Sequence, residues 1–194
     1  MQHLAAAGCR DFFVATWAEA AALMPLAGDL SLSVLHGVGD SDMVAARTLP
    51  ARPVLNSLEQ VARWRAGGEG RPCDVMIDTG MNRLGLRVEE ALGGALQGLV
   101  VETLLSHLAS ADEDSEQNAR QLAVFQSLRE RIAARRYSLA NSAGICLGAD
   151  YAFDYHGDWV AELKAATRGA DMILDIIGAK YLEPNVAALR RGGR

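Results

Sequence analysis

Arg83 is the residue in this sequence best placed to do chemistry. It lies in Asp78-Thr79-Gly80-Met81-Asn82-Arg83-Leu84-Gly85-Leu86, directly after the mostly apolar run Cys73-Asp74-Val75-Met76-Ile77, which reads as a buried strand. A guanidinium keeps its charge at any working pH and presents a planar fork of donors, so it suits an anionic or phenolate oxygen. Gly80 and Gly85 permit backbone angles and close approaches that a Cβ forbids, while Thr79 and Asn82 add hydrogen-bonding groups. The residue types alone fit equally well a solvated arginine in a β-to-α turn. Two further polar groups follow apolar runs: Ser106-His107 after Leu99 to Leu105, and Asn141-Ser142 after Ser138-Leu139-Ala140. Ligands gather at the carboxyl ends of strands in parallel α/β folds, so three such clusters together say more than any one of them. Taken alone, His107 reads more often as a satisfied, half-buried histidine, and Ser142 as the cap of a short turn. His3, His36 and His156 have no acidic or thiol partner at ligand spacing, and no metal site is expected.

The elements that must position these groups alternate along the chain. Met1 to Gly8 reads as the tail of an amphipathic helix, so the chain begins in the middle of a repeating unit. Strands are expected over Asp11 to Ala15, Leu30 to Leu35, Pro53 to Asn56, Cys73 to Ile77, Leu99 to Leu105 and Ser138 to Ala140. Helices are expected over Trp17 to Leu26, near Asp40 to Arg47, from an N-cap at Ser57 to Ala66, over Val88 to Leu96 and over Glu116 to Ala134. Strictly alternating strands and helices imply parallel pairing, hence a doubly wound sheet or a barrel. Periodicity does not choose between them.

Composition narrows the class. The chain has 194 residues, half of them hydrophobic, and a formal net charge of −5 with neither sign in a block. That describes a soluble globular protein and suggests neither nucleic acid nor an anionic membrane as partner. Cys9, Cys73 and Cys146 are odd in number and far apart, which fits neither a disulfide framework nor a zinc spacing. No apolar run reaches membrane-spanning length, and Met1-Gln2-His3-Leu4-Ala5 lacks the marks of a signal peptide. The cytoplasm is the expected compartment.

The string Asp-Thr-Gly-Met-Asn-Arg-Leu-Gly at 78–85 resembles the signature of the alanine racemase family, pyridoxal-phosphate enzymes with an N-terminal (β/α)8 barrel. Ser106-His-Leu-Ala-x-Ala-Asp112, Gln121-x-x-x-Phe125 and Ala140-Asn-Ser-Ala-Gly144 resemble further motifs of that family in the same order. The resemblance implies an α/β fold, an incomplete (β/α)8 TIM barrel over residues 1–153, and homodimers interconverting L- and D-alanine. It implies that Arg83 hydrogen-bonds the phenolic oxygen of pyridoxal 5'-phosphate and that His107 lies behind it near the ring. Ser142 would contact the phosphate, Asn141 would also belong to the cofactor site, and Met81 would line the pocket for a small amino acid. Met76 stands where many members carry a modified lysine that supports the arginine, so Arg83 is expected to be held differently here.

Both catalytic bases of the family are missing from these residues. The Schiff-base lysine belongs to a Lys-Ala-x-x-Tyr-Gly segment, whereas the only lysines are Lys164 and Lys180; the second base is a tyrosine of the C-terminal domain. An Arg-Pro-Gly run expected after Asp154 reads Tyr155-His156-Gly157 instead. The isolated chain is therefore expected to be inactive as a racemase. Residues 154–194, through Gly148 to Tyr155, Trp159 to Lys164, Gly169 to Gly178 and Tyr181 to Leu189, resemble part of the nucleotide-binding domain of quinone oxidoreductases. That predicts a βαβα Rossmann-like tail without a glycine-rich phosphate loop. A junction near Gly148 to Asp154 would make the chain a chimera. The alternatives are a cofactor-binding or non-functional fragment, or a fragment of an NADPH-dependent quinone oxidoreductase.

Overall fold

A computed structural model of the chain describes residues 1–6, 8–113, 115–141, 143–144, 158, 160–161, 164–165 and 179–189. They fall into two compact units, Asp11–Ala140 and a second made of Met1–Arg10 with Asn141–Arg194. In the second unit, α1 (Gln2–Ala6) is followed by Arg10, whose guanidinium donates to the carbonyls of Ala5 and Cys9. The helix Ala179–Ala188, carrying Pro184, lies near its end. The strands of the expected βαβα tail would fall in 149–155 and 172–175, which lie outside the described residues, as does the proposed junction.

The Asp11–Ala140 unit is an α/β half-barrel. Its strands are β1 (Asp11–Val14), β2 (Ser31–Val34), β3 (Arg52–Leu55), β4 (Cys73–Asp78), β5 (Leu86–Arg87), β6 (Val101–Leu105) and β7 (Arg136–Ser138). They form one sheet in the order β1-β2-β3-β4-β6-β7, with β5 paired to the end of β4. Every pairing is parallel, so all main strands end at one edge. The helices are α2 (Trp17–Ala27), α3 (Met43–Thr48), α4 (Leu58–Gly67), α5 (Val88–Glu90) and α6 (Glu116–Arg131). Their starts are set locally. Thr16 and Glu19 form a reciprocal capping box on α2, and Ser57 accepts from Gln60 N at the start of α4 as its sequence position predicts, each cap stabilising by about 1 kcal/mol.

The alternation of side chains divides the sheet into two faces. Leu32, Val34, Leu55, Cys73, Val75, Ile77 and Leu104 point towards the helices, where they pack with Trp17, Val61, Trp64, Phe125 and Leu128 in one buried core. Burial and the adjacent Asp74 charge push the Cys73 thiol up to about 12, so it stays protonated. The concave face is polar. Asp74, fully buried, accepts from Ser33 Oγ at 2.5 Å and from Arg52 Nε at 3.4 Å. Arg52 also reaches Ser31 Oγ at 2.6 Å. Arg136 on β7 pairs with Asp11 on β1 at 2.7 Å and with Glu102 at 3.4 Å. An ion pair between the first and last strands of the sheet requires the sheet to curl, which selects the barrel over the flat doubly wound alternative.

Several elements depart from the sequence reading. The expected helix over 88–96 is one α-turn followed by a π-turn over Ala91–Ala95, because Gly94 takes a φ of 95°. The last strand starts two residues earlier than expected, since Arg136 is drawn inward by Asp11 and Glu102. α6 stops at Arg131, where Ile132 turns extended. The region read as one helix near Asp40 to Arg47 is a 3-10 turn, Asp40–Asp42, leading into α3.

Candidate functional site

The loop after β4 is built around a single carboxylate. Asp78 Oδ1 accepts the backbone N–H groups of Gly80 at 2.9 Å, Met81 at 2.9 Å and Asn82 at 3.0 Å. Three donors on one oxygen fold the chain tightly over the strand end, which is why Asn82 takes a φ of 57°. Gly85 closes the loop at a φ of +123°, where a Cβ would lie 2.8 Å from Asp78 N and 2.9 Å from Ile77 C. Arg83 sits between these two fixed points. Its side chain is exposed, and among the described residues its guanidinium makes no hydrogen bond or ion pair. The scaffold therefore presents an uncommitted cation at the carboxyl edge of the sheet.

A cleft of about 630 Å³ opens there, lined by Asn56, Asp78, Thr79, Arg83, Arg87 and Val124 among others. Met81, half-buried, and His107 do not line it. His107 follows the end of β6 and is half-buried. Burial, and then the charge of Arg83, hold its imidazole below the ordinary histidine range. Arg83 is thus the cation that lines the cleft, and His107, outside it, is a neutral ring near pH 7; the guanidinium suits a ligand oxygen bearing partial or full negative charge.

Behind these two residues the strand ends are joined by hydroxyls and amides. Thr79 Oγ1 lies 2.7 Å from Ser106 Oγ. Gln121, from α6 and 1% exposed, donates to Thr79 Oγ1 at 3.1 Å and to the His107 carbonyl at 2.9 Å, and accepts from Ala109 N at 2.9 Å. Sequence reading placed Gln121 in a motif but gave it no role; the signal was a glutamine on the apolar stripe of a helix. Met76 lies on the concave face, and a Cβ on Gly85 would come 3.0 Å from its Cγ.

Asn141 belongs to the second unit, where its Oδ1 accepts from Gly144 N at 2.9 Å. Ser142 lies outside the described residues. His36, read as lacking an acidic partner, has Asp42 at 4.0 Å; the intervening turn, Asp40–Asp42, brings the carboxylate back. Among the described residues no group of three histidines, cysteines or acids could hold a metal ion. Among them also no helix is long and apolar enough to cross a membrane.

Comparison with known proteins identifies the family. Residues 1–161 match the family described as the alanine racemase N-terminal domain. The chain is similar to alanine racemase from Methylobacterium nodulans, 44% identical over 151 residues that are 73% of this chain and 41% of the relative. It is 42% identical over 160 residues to alanine racemase from Acidiphilium cryptum, covering 78% of this chain and 45% of the relative. Among solved structures, alanine racemase from Bartonella henselae with covalently bound pyridoxal phosphate superposes with a TM-score of 0.69 at 30% identity. That match covers 78% of this chain and 47% of the other. The chain thus spans less than half the length of the relatives it matches.

Proposed function

The chain belongs to the alanine racemase family by its N-terminal domain, and from that premise we propose that Asp11–Ala140 forms the arginine-bearing part of a pyridoxal 5'-phosphate site. The observation that carries the reading is Arg83, uncommitted on a loop that Asp78 and Gly85 hold rigid. Its guanidinium donates to the cofactor's phenolic oxygen and favours the deprotonated form, as a planar cation does beside a phenolate. His107, kept neutral by burial and by Arg83, lies behind without adding a second charge. The family resemblance assigns Met81 to the pocket for a small amino acid, although in this structure it does not line the cleft beside Arg83, and it assigns Ser142 to the phosphate. Bound pyridoxal phosphate supplies an electron sink that acidifies the substrate's α-carbon.

The activity we propose such a site serves is interconversion of L- and D-alanine. Residues 11–140 contain no lysine, so this unit offers no amine for covalent attachment of the cofactor and binds it reversibly. The resemblance of residues 154–194 to a quinone oxidoreductase fragment rests on sequence alone, and the alanine racemase match itself runs to residue 161. Titration of pyridoxal phosphate into the purified chain, followed by tryptophan fluorescence, tests the reading. Arg83→Gln removes one charge-assisted bond of about 1.5–3 kcal/mol, equivalent to roughly 10- to 150-fold in affinity. Equal affinities for the two proteins would refute the assignment of Arg83.

A further inference from the structure

We propose that Gln121 is a positioning residue that locks the Arg83 loop and the His107 segment into one rigid site. The inference rests on the reading of Arg83 at the ligand with His107 behind it. A ligand-binding loop and the segment that backs it must hold their spacing to a fraction of an ångström. They leave different strands, β4 and β6, and backbone pairing ends with Met76 opposite Leu105. Beyond that point something else must tie them.

Gln121 does so with both its N–H groups and its carbonyl oxygen engaged. Its two N–H groups go to Thr79 Oγ1, at the root of the Arg83 loop, and to the carbonyl of His107 itself. Its Oε1 takes Ala109 N, two residues past His107. The amide cannot be flipped, because the reverse orientation would set Oε1 against the His107 carbonyl and Nε2 against the Ala109 N–H. The hydroxyls of Thr79 and Ser106 complete a link between the two strand ends, 2.7 Å apart. One turn earlier on α6, Gln117 Nε2 reaches Gly80 O at 2.9 Å, and Gly80 lies over the Gln121 side chain, where a Cβ would stand 3.5 Å from Cγ.

A residue with three hydrogen bonds and no exposure cannot lose its amide without freeing both loops. A leucine in its place would serve the core equally well. What only the amide supplies is a fixed separation between Arg83 and His107, and the charge of Arg83 at His107 reports that separation. The reporter needs no cofactor.

Gln121→Met keeps length and apolar volume and removes the bonds. The test is a double-mutant cycle with Arg83→Gln, reading the His107 titration by NMR, with the signal assigned by its loss in His107→Gln. Gln121→Met should move the His107 midpoint up towards the ordinary value when Arg83 is present, and should move it little in the Arg83→Gln background. It should also weaken pyridoxal phosphate binding about tenfold. No shift, or the same shift in both backgrounds, would overturn the proposal, because a purely structural role acts through burial and ignores Arg83. Should Gln121→Met not fold, Thr79→Val cuts the same link with a smaller change and decides by the same criterion. If the parent chain fails to bind pyridoxal phosphate while the cycle still shows coupling, the cofactor reading fails and the positioning role stands.

Discussion

Gly85→Ala should destabilise the chain by about 2–6 kcal/mol and displace Arg83 with it. A φ of +123° costs an L side chain about 1–3 kcal/mol. A Cβ 2.8 Å from Asp78 N and 2.9 Å from Ile77 C meets backbone that a neighbouring side chain cannot relieve by turning away, which costs about 1–3 kcal/mol more. Gly70 is the control, with a φ of +73° and no atom within 4 Å of its would-be Cβ. Gly70→Ala therefore carries the conformational cost alone, about 1–2 kcal/mol. Urea unfolding followed by tryptophan fluorescence reads both variants, and the difference between them isolates the clash. The clash can be relieved only by shifting the end of β4, so pyridoxal phosphate affinity should fall in Gly85→Ala and hold in Gly70→Ala. Equal destabilisation of the two variants would refute the argument that the close approach at Asp78 fixes the loop.

Asp78→Ala leaves three loop N–H groups without their acceptor and should cost about 1–3 kcal/mol, whereas Asp78→Asn, which keeps an oxygen, should cost less; urea midpoints rank the two. The lowered pKa of His107 means that the unfolded chain binds the extra proton first. Stability is therefore complete above about pH 6.5 and falls as pH drops through that value towards the folded pKa. His107→Gln should flatten the profile between pH 7.5 and 5.5 in denaturant titrations, and an unchanged slope would show that another group carries it.

The positions of the strand ends were legible because polar clusters and glycines interrupt apolar runs, and the Arg83 loop because Gly80 and Gly85 bracket polar residues after such a run; the Asp78 carboxylate that folds it was not read. The concave face was not legible. Asp74 sits inside a run that reads as continuously buried, and Arg52 and Arg136 read as strand boundaries. Only the curl of the sheet brings Ser33, Arg52 and Asp74 together and sets Asp11 against Arg136, and curl depends on contacts between residues up to 125 positions apart. Periodicity alone therefore left the barrel and the flat sheet equivalent. Gln121 was invisible for a related reason: its spacing places it with Phe125 and Leu128 on the buried face of α6, where side-chain type says nothing about which carbonyls lie opposite.

The most direct test of the account is a backbone amide NMR titration of the whole chain with pyridoxal phosphate. The account predicts that the largest perturbations fall at 79–86 and 106–109, around Arg83 and His107, and that Arg83→Gln diminishes them. Perturbations confined to residues 154–194, with the Arg83 loop unmoved, would contradict it.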